Sequence, residues 1–187
     1  MAYSRRASSL LFFLAFLVLM IALHRPMLKF PFHWDELGQF APASLDFYTD
    51  SSLVAHSTLP NVHPPGVMAI VGTTWKLFGV SVISARIAML VVASAGLLFS
   101  FLLAIRLCRG AVGAPAFAAV LFLMATPIFF SQSEMILLDM PAMTFTALAL
   151  LLFLDERYAA CALVFVSLVL ETIAPRGAGT PLAPGRG

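Results

Sequence analysis

More than half of the carboxylate and imidazole side chains in this sequence fall between residues 32 and 66. These 35 residues contain four carboxylates and three histidines, but no Lys or Arg. Two of the carboxylates, Asp35 and Glu36, are adjacent and follow Trp34. A carboxylate pair at the boundary between water and an apolar phase is suited to general-base catalysis, because low dielectric and a like-charged neighbour both strengthen the base. A solvated loop pair, or a helix N-cap beside an interfacial Trp, explains the same residues without chemistry.

A rigid corner ends the same stretch, where His63 precedes Pro64, Pro65 and Gly66. Two prolines fix φ and force the residue before them into an extended conformation, so the backbone aims His63 in one direction. An imidazole held in this way could donate to a phosphate oxygen or bind a divalent ion. A purely structural role before the turn is the alternative, and His56 offers a weaker case for chemistry.

Two further charged residues stand where apolar segments begin. Asp139 is followed by Met140 and Pro141, and helix capping explains it as well as a functional role does. Arg86 lies where an apolar segment would enter a bilayer, so it either extends to lipid headgroups or pairs with the phosphate of a lipid-linked substrate.

The composition is that of a membrane protein. Of the 187 residues, 61% are hydrophobic and only 11% are charged, and the mean hydropathy is +0.98. The net charge of +2 is too small to indicate a nucleic-acid partner. Cys108 and Cys161 lie in different apolar segments and predict packing residues rather than a disulfide or metal motif.

Each crossing of a bilayer takes ~20 residues, so the chain is long enough for several spans and one substantial loop. Pro127 predicts a kink or an end in the third span. Arg5 and Arg6 before the apolar run 8–23 fit either a signal peptide or a first span. Because no small-x-small cleavage site follows the run, an uncleaved signal anchor is favoured over a removed signal peptide. The predicted spans are 8–23, 87–105, 114–130, 139–154 and 158–173.

Residues 65–79 predict an amphipathic helix that lies in the membrane interface and ends at Gly79. Thr73 and Lys76 fall on its polar side, and Trp75 is expected at headgroup level. A weaker surface helix is predicted over residues 42–56, beginning at Pro42. The apolar residues that recur at helical spacing in the interfacial helix are Val67, Ile70, Val71, Trp75 and Phe78.

The positive-inside rule chooses between two topologies. If residues 65–79 lie on the surface, five basic residues fall in the cytoplasm against four outside, whereas a spanning helix there reverses the bias. The preferred topology has a cytoplasmic N-terminus and an extracytoplasmic segment 24–86, and it places Asp139 on the same side as Asp35. The Gly/Pro-rich residues 174–187 predict a disordered tail after one membrane unit of residues 1–173.

The order of these features resembles the N-terminal part of the GT-C membrane glycosyltransferases over roughly residues 8–170. The pattern is similar to that of the dolichyl-phosphate-mannose-protein mannosyltransferase-like group, which includes bacterial aminoarabinose transferases. The features that carry the resemblance are an N-terminal span, an Asp-Glu loop, a Pro-Pro corner leading to WKLFG, an Arg at the start of the next span, and LLDMP at the head of a later one.

The resemblance implies an all-α polytopic enzyme that moves a sugar from a polyprenyl-phosphate donor to a lipid, glycan or protein acceptor on the extracytoplasmic face, with inversion at the anomeric carbon. It implies that Asp35 is the catalytic base, that Glu36 is its catalytic neighbour, and that Arg86 and Asp139 lie near the substrate. His63, Arg86 or a divalent metal ion held by acidic residues would steady the phosphate charge. His63 stands where many relatives have Lys.

Family members have further spans, so the resemblance predicts that this chain is a truncated or frame-shifted N-terminal piece. A non-catalytic membrane or assembly protein, or an inactive fragment, is the alternative. A transporter is disfavoured because no predicted span carries a charged residue near its middle. A nucleotide-using enzyme is disfavoured because the sequence has no glycine-rich phosphate loop.

Overall fold

The computed structural model describes residues 2–58, 65–108 and 113–172, and within these ranges every regular element is a helix. The all-α class expected from the sequence is therefore confirmed, with 78% helix. His63 and the predicted tail lie outside the described residues. A π-helix, Glu36–Phe40, precedes the second α-helix. The α-helices are α1 Ala2–His24, α2 Ala41–Asp50, α3 Gly66–Phe78, α4 Val82–Leu107, α5 Ala114–Ala125, α6 Pro127–Gln132, α7 Asp139–Leu154 and α8 Tyr158–Thr172.

Several helix ends follow local sequence signals. Gly79 ends α3 with φ of 85°, a conformation that glycine adopts without steric cost. The Ser81 hydroxyl caps α4 by accepting the Ser84 backbone N–H at 3.1 Å. The predicted third span is divided at Thr126, which is extended, and Pro127 begins the short α6. Helix α7 has the predicted bounds of 139–154.

Helix α4 lies at the centre of the packing, since it contacts α1, α3, α5 and α7. Its buried face includes Met89, Leu90 and Leu97, and Phe101 continues that face towards the end of the helix. The Phe101 ring lies 4.8 Å from the Phe12 ring and 5.1 Å from the Phe117 ring, measured between centroids. Because α4 packs against four other helices, its position relative to them is fixed. Arg86 on α4 is positioned in the same way.

Helix α4 is also the one described helix that is long and apolar enough to cross a membrane, by length and composition. Five other described helical stretches, of 10–17 residues, are apolar but shorter. This single candidate supports association with a membrane.

A helix forms at Gly66–Phe78, close to the predicted bounds of 65–79, although its buried side differs in part from the predicted apolar side. Val67 and Val71 are fully buried, and Trp75 is 3% exposed with its indole N–H donating to the Ser81 carbonyl at 3.1 Å. Phe78, by contrast, is 78% exposed. Trp75 therefore packs inside the protein and not at a headgroup level. The reason is that α2 and α4 both pack against α3 and cover the face that carries Trp75.

The second predicted surface helix is shorter than expected. Helix α2 ends at Asp50, and Ser51 adopts a left-handed conformation with φ of 62°. The non-helical residues 51–58 are instead attached to α2, since the buried Asp46 carboxylate accepts the backbone N–H groups of His56 and Ser57 at 2.8 and 3.0 Å.

Candidate functional site

Arg86 and Glu36 form a buried ion pair at the start of α4. Both side chains are fully buried. The guanidinium meets the carboxylate with both terminal nitrogens, since Nη1 lies 2.7 Å from Oε1 and Nη2 lies 3.0 Å from Oε2. A two-point contact of this kind fixes the relative orientation of its partners as well as their distance.

The remaining hydrogen bonds of this pair join two distant segments of the chain. On the side of Asp35, Arg86 Nη2 donates to the Pro31 carbonyl at 3.2 Å, and Glu36 Oε2 accepts the His33 backbone N–H at 2.7 Å. On the side of Asp139, Arg86 Nη1 donates to the Glu134 carbonyl at 3.1 Å, and Glu36 Oε1 accepts the Ile136 N–H at 2.8 Å. The ion pair therefore ties residues 31–36 to residues 134–136.

Asp35 and Asp139 line the same pocket, which has a volume of about 370 Å³. Both side chains are exposed, and neither has a hydrogen-bond or ion-pair partner within the described ranges. Two carboxylates without a partner in the described part of the chain can accept hydrogen bonds or a proton from a substrate. The lining residues are Asp35, Gln39, Phe40, Leu137, Leu138 and Asp139.

The local backbone explains how Asp35 and Asp139 come to face the pocket. The π-helix at Glu36–Phe40 has a wider turn than an α-helix, and the Ala41 N–H bonds to the Glu36 carbonyl five residues earlier. Gln39 and Phe40 thereby return to the side of Asp35. Asp139 occupies the first turn of α7, and the N-cap position belongs to Leu138 without a side-chain capping bond. Side-chain capping therefore does not account for Asp139.

Arg86 is placed differently from the lipid-facing or phosphate-facing position expected from the sequence. Its side chain has no exposed surface, and both terminal nitrogens donate to protein oxygens. The Phe32 ring covers the guanidinium, with the ring centroid 5.4 Å from Cζ. In this arrangement neither a lipid headgroup nor a substrate phosphate reaches Arg86. Glu36 likewise has no exposed surface and contacts Arg86 and backbone N–H groups, so it supports Asp35 rather than facing the pocket.

Sequence reasoning missed a buried polar group around the end of α1. His24 is fully buried, and its ring nitrogens lie 2.9 Å from the Met20 and Phe130 carbonyls. The Ser133 hydroxyl is 3.2 Å from His24 Nε2, and the adjacent Glu134 is 1% exposed. The sequence does contain a signal for this group, since the polar residues 131–134 (SQSE) lie between two apolar segments. Their burial, however, depends on contacts with α1 and α4, which the sequence does not show.

A second titratable cluster lies on α2 and the loop that follows it. His56 Nε2 is 2.8 Å from Asp50 Oδ2, and Nδ1 is 3.4 Å from Asp46 Oδ1. The hydrogen bond to Asp50 and the charge of Asp46 raise the pKa of His56. Burial opposes ionisation of Asp46, but hydrogen bonds from the Ser57 and His56 backbones outweigh it and lower the pKa of Asp46. The His56 hydrogen bond also lowers the pKa of Asp50.

The pocket could act on a hydroxyl group by accepting its proton on one carboxylate while the other orients the substrate. Gln39 adds an amide to the same wall. No group of three or more His, Cys, Asp or Glu side chains that could hold a metal ion occurs in the part of the chain that the structure describes. The polar side chains that line the pocket, Asp35, Gln39 and Asp139, therefore do not by themselves make up a metal site.

A separate groove of about 580 Å³ between α3 and α4 is apolar, and none of the described residues that line it is titratable. The polar side chains among these lining residues carry hydroxyl groups. The lining residues are Ile70, Thr74, Phe78, Ser81, Ile83, Ser84, Ile87, Ala88, Val91 and Val92.

Comparison with known proteins gave no match to a family model, to a curated protein or to a solved structure.

Proposed function

We propose that this chain belongs to a polytopic membrane glycosyltransferase of the GT-C type, which transfers a sugar from a polyprenyl-phosphate donor to a lipid, glycan or protein acceptor. The observation that carries the proposal is the shared pocket of Asp35 and Asp139, two carboxylates far apart in sequence that have no partner within the described ranges. The apolar groove between α3 and α4 adds a surface suited to the prenyl chain of a donor.

Asp35 acts as the general base in the proposed reaction. It removes the proton from the acceptor hydroxyl as the hydroxyl oxygen attacks the anomeric carbon of the donor sugar. The bond from that carbon to the phosphate oxygen breaks, and polyprenyl phosphate leaves with the bonding electrons, so the configuration inverts. Asp139 orients the substrate from within the same pocket. Because Arg86 is occupied by Glu36, the phosphate charge is steadied by another group, for which His63 remains the candidate of this chain.

The proposed topology has five spans, formed by α1, α4, α5 with α6, α7 and α8, and an extracytoplasmic segment 24–86. It can be tested with single cysteines at positions 35 and 139 after Cys108 and Cys161 have been replaced by Ser. An impermeant thiol reagent applied to intact cells should label both positions. Labelling of only one of them would place the two carboxylates on opposite sides and exclude the shared site.

The decisive experiment on function is Asp35→Asn, assayed for sugar transfer from polyprenyl-phosphate donors in membranes that contain the whole protein. Loss of a general base should lower the rate by ~10²–10⁴-fold. Asp155→Asn is the matched control, because Asp155 is exposed and pairs with Arg106 away from the pocket, at 2.9 Å. Normal transfer by Asp35→Asn would reject the proposal and favour a non-catalytic membrane or assembly role.

A further inference from the structure

Glu134 is a buried acid that the proposed reaction does not use. Its side chain is 1% exposed, and Oε2 has no hydrogen-bond partner within the described ranges. A buried carboxylate oxygen in this state is unusual, because buried polar groups are nearly always hydrogen-bonded. The backbone carbonyl of the same residue accepts a hydrogen bond from Arg86.

Arg86 has an unpaired hydrogen-bond donor, since its Nε also has no partner within the described ranges. An unpaired acceptor and an unpaired donor thus belong to one buried cluster. The two terminal nitrogens of Arg86 are engaged with Glu36, which leaves Nε as the free donor of the guanidinium. An ionised Glu134 would therefore attract the guanidinium of Arg86, and movement of that group towards Glu134 would weaken its two bonds to Glu36.

The charges that face Glu134 come from four parts of the fold. They are Arg86 on α4, His24 on α1, Glu36 in the π-helix and His33 in the loop before it. Burial raises the pKa of Glu134, the charges of Arg86 and His24 act in the opposite direction, and the net shift is upward. Arg86 and Glu36 already balance each other, so ionisation of Glu134 would add an uncompensated negative charge to their buried surroundings.

We propose that Glu134 is a positioning residue for the pocket of Asp35 and Asp139, and that it serves this role as the neutral acid. Neutral Glu134 leaves Glu36 as the charged partner of Arg86, and the ion pair holds residues 31–36 against residues 134–136. Ionised Glu134 draws Arg86 away from Glu36, and this releases the segment that carries Asp35. The consequence for catalysis rests on the proposed function, whereas the consequence for the position of residues 31–36 does not.

The protonation state can be measured directly by infrared spectroscopy. At neutral pH the wild-type protein should show a carbonyl band of a protonated carboxyl group that is lost in Glu134→Gln and kept in Glu156→Gln, a control at an exposed position. This band should disappear as the pH is raised. If Glu134→Gln and wild type have the same spectrum in this region, Glu134 is ionised and the proposal is rejected.

The release of residues 31–36 can be followed with Trp34, which is 89% exposed and adjacent to Asp35. Trp75 is replaced by Phe so that Trp34 is the single tryptophan. Its fluorescence anisotropy should fall as Glu134 ionises, and Glu134→Gln should abolish this pH response because the amide stays neutral. An unchanged response in Glu134→Gln would overturn the positioning role.

A transfer assay separates this inference from the proposed function. We expect the kcat of the wild type to fall at high pH with the Trp34 signal, while Glu134→Gln retains its kcat and has an unchanged KM. If neither protein transfers sugar but the Trp34 difference is present, the proposed reaction fails and the control of the pocket by Glu134 stands. If both transfer sugar with the same pH profile, the positioning role is rejected.

Discussion

Arg86 Nη1 on α4 lies 2.7 Å from Glu36 Oε1, although the two residues are 50 positions apart in the sequence. Both side chains are fully buried, and each also bonds to backbone groups of two different segments. The pair is therefore the connection through which Asp35 and Asp139 reach one pocket.

Removal of either member of this pair should destabilise the protein strongly. Arg86→Met or Glu36→Gln leaves an uncompensated buried charge or unpaired buried donors, at a cost of ~3–5 kcal/mol. The double variant should recover part of this loss, because neither charge is then buried alone. Thermal or denaturant unfolding in detergent measures the effect. A direct interaction would be contradicted if the change in unfolding free energy of the double variant equals the sum of the two single changes.

Asp139→Asn should weaken substrate binding without changing stability. Asp139 has no partner within the described ranges, so its replacement should alter the free energy of unfolding by less than about 0.5 kcal/mol. Loss of the charged acceptor for a substrate hydrogen bond should raise KM by ~10–100-fold. Steady-state kinetics and unfolding of the same preparation check both statements. A large loss of stability would instead make Asp139 a structural residue.

Glu134→Gln should change how stability depends on pH. The pKa of Glu134 is raised above its ordinary value of 4.5, so its contribution to stability is complete below that value and is lost as the pH rises through the raised pKa. Glu134→Gln does not ionise, and its Tm relative to wild type should therefore increase with pH over this window. Glu156→Gln serves as the control, and a Tm difference independent of pH would contradict the assignment.

The attachment of residues 51–58 to α2 should be strongest at intermediate pH. The raised pKa of His56 means that its contribution is complete below its ordinary pKa of 6.5 and is lost as the pH rises through the raised value. The lowered pKa values of Asp46 and Asp50 mean that their contribution is present above 3.8 and lost as the pH falls through the lowered values. The protection of residues 51–58 against hydrogen exchange, measured relative to the intrinsic exchange rate at each pH, should therefore be greatest between these limits. His56→Ala should remove the loss of protection at high pH but keep the loss at low pH.

A side chain at position 96 should disturb the packing of α4 against α7. An added Cβ would lie 2.6 Å from the Thr144 hydroxyl oxygen and would also meet the end of Met143. Thr144 donates to the Val92 carbonyl at 3.1 Å, so displacement of its side chain also disturbs that hydrogen bond. Gly96→Ala should cost ~1–3 kcal/mol through overpacking. Gly38→Ala is the control, since nothing lies within 4 Å of a Cβ there, and equal stabilities of the two variants would refute the close contact.

The sequence alone determined the helical class and most helix ends, because these depend on neighbours a few residues apart. Helix α3 ends at Gly79 and α5 ends before Pro127, and both signals act on the adjacent residues of the chain. The bounds of α7 were predicted from Pro141 near its start and the charged residues beyond its end. The sequence also selected Asp35 and Asp139, since carboxylates next to apolar segments can be recognised without a structure. Their roles in catalysis stay predictions.

Only the tertiary structure decided what Arg86, Glu36 and Glu134 do. A charged residue at the start of an apolar segment faces solvent, lipid or another charge depending on what packs against it, and for Arg86 that partner comes from a loop 50 residues earlier. The same reason explains why Trp75 is buried and Phe78 is exposed on a helix whose apolar stripe was predicted to contain both. Periodicity specifies which side chains share a face, but burial depends on which faces other helices cover.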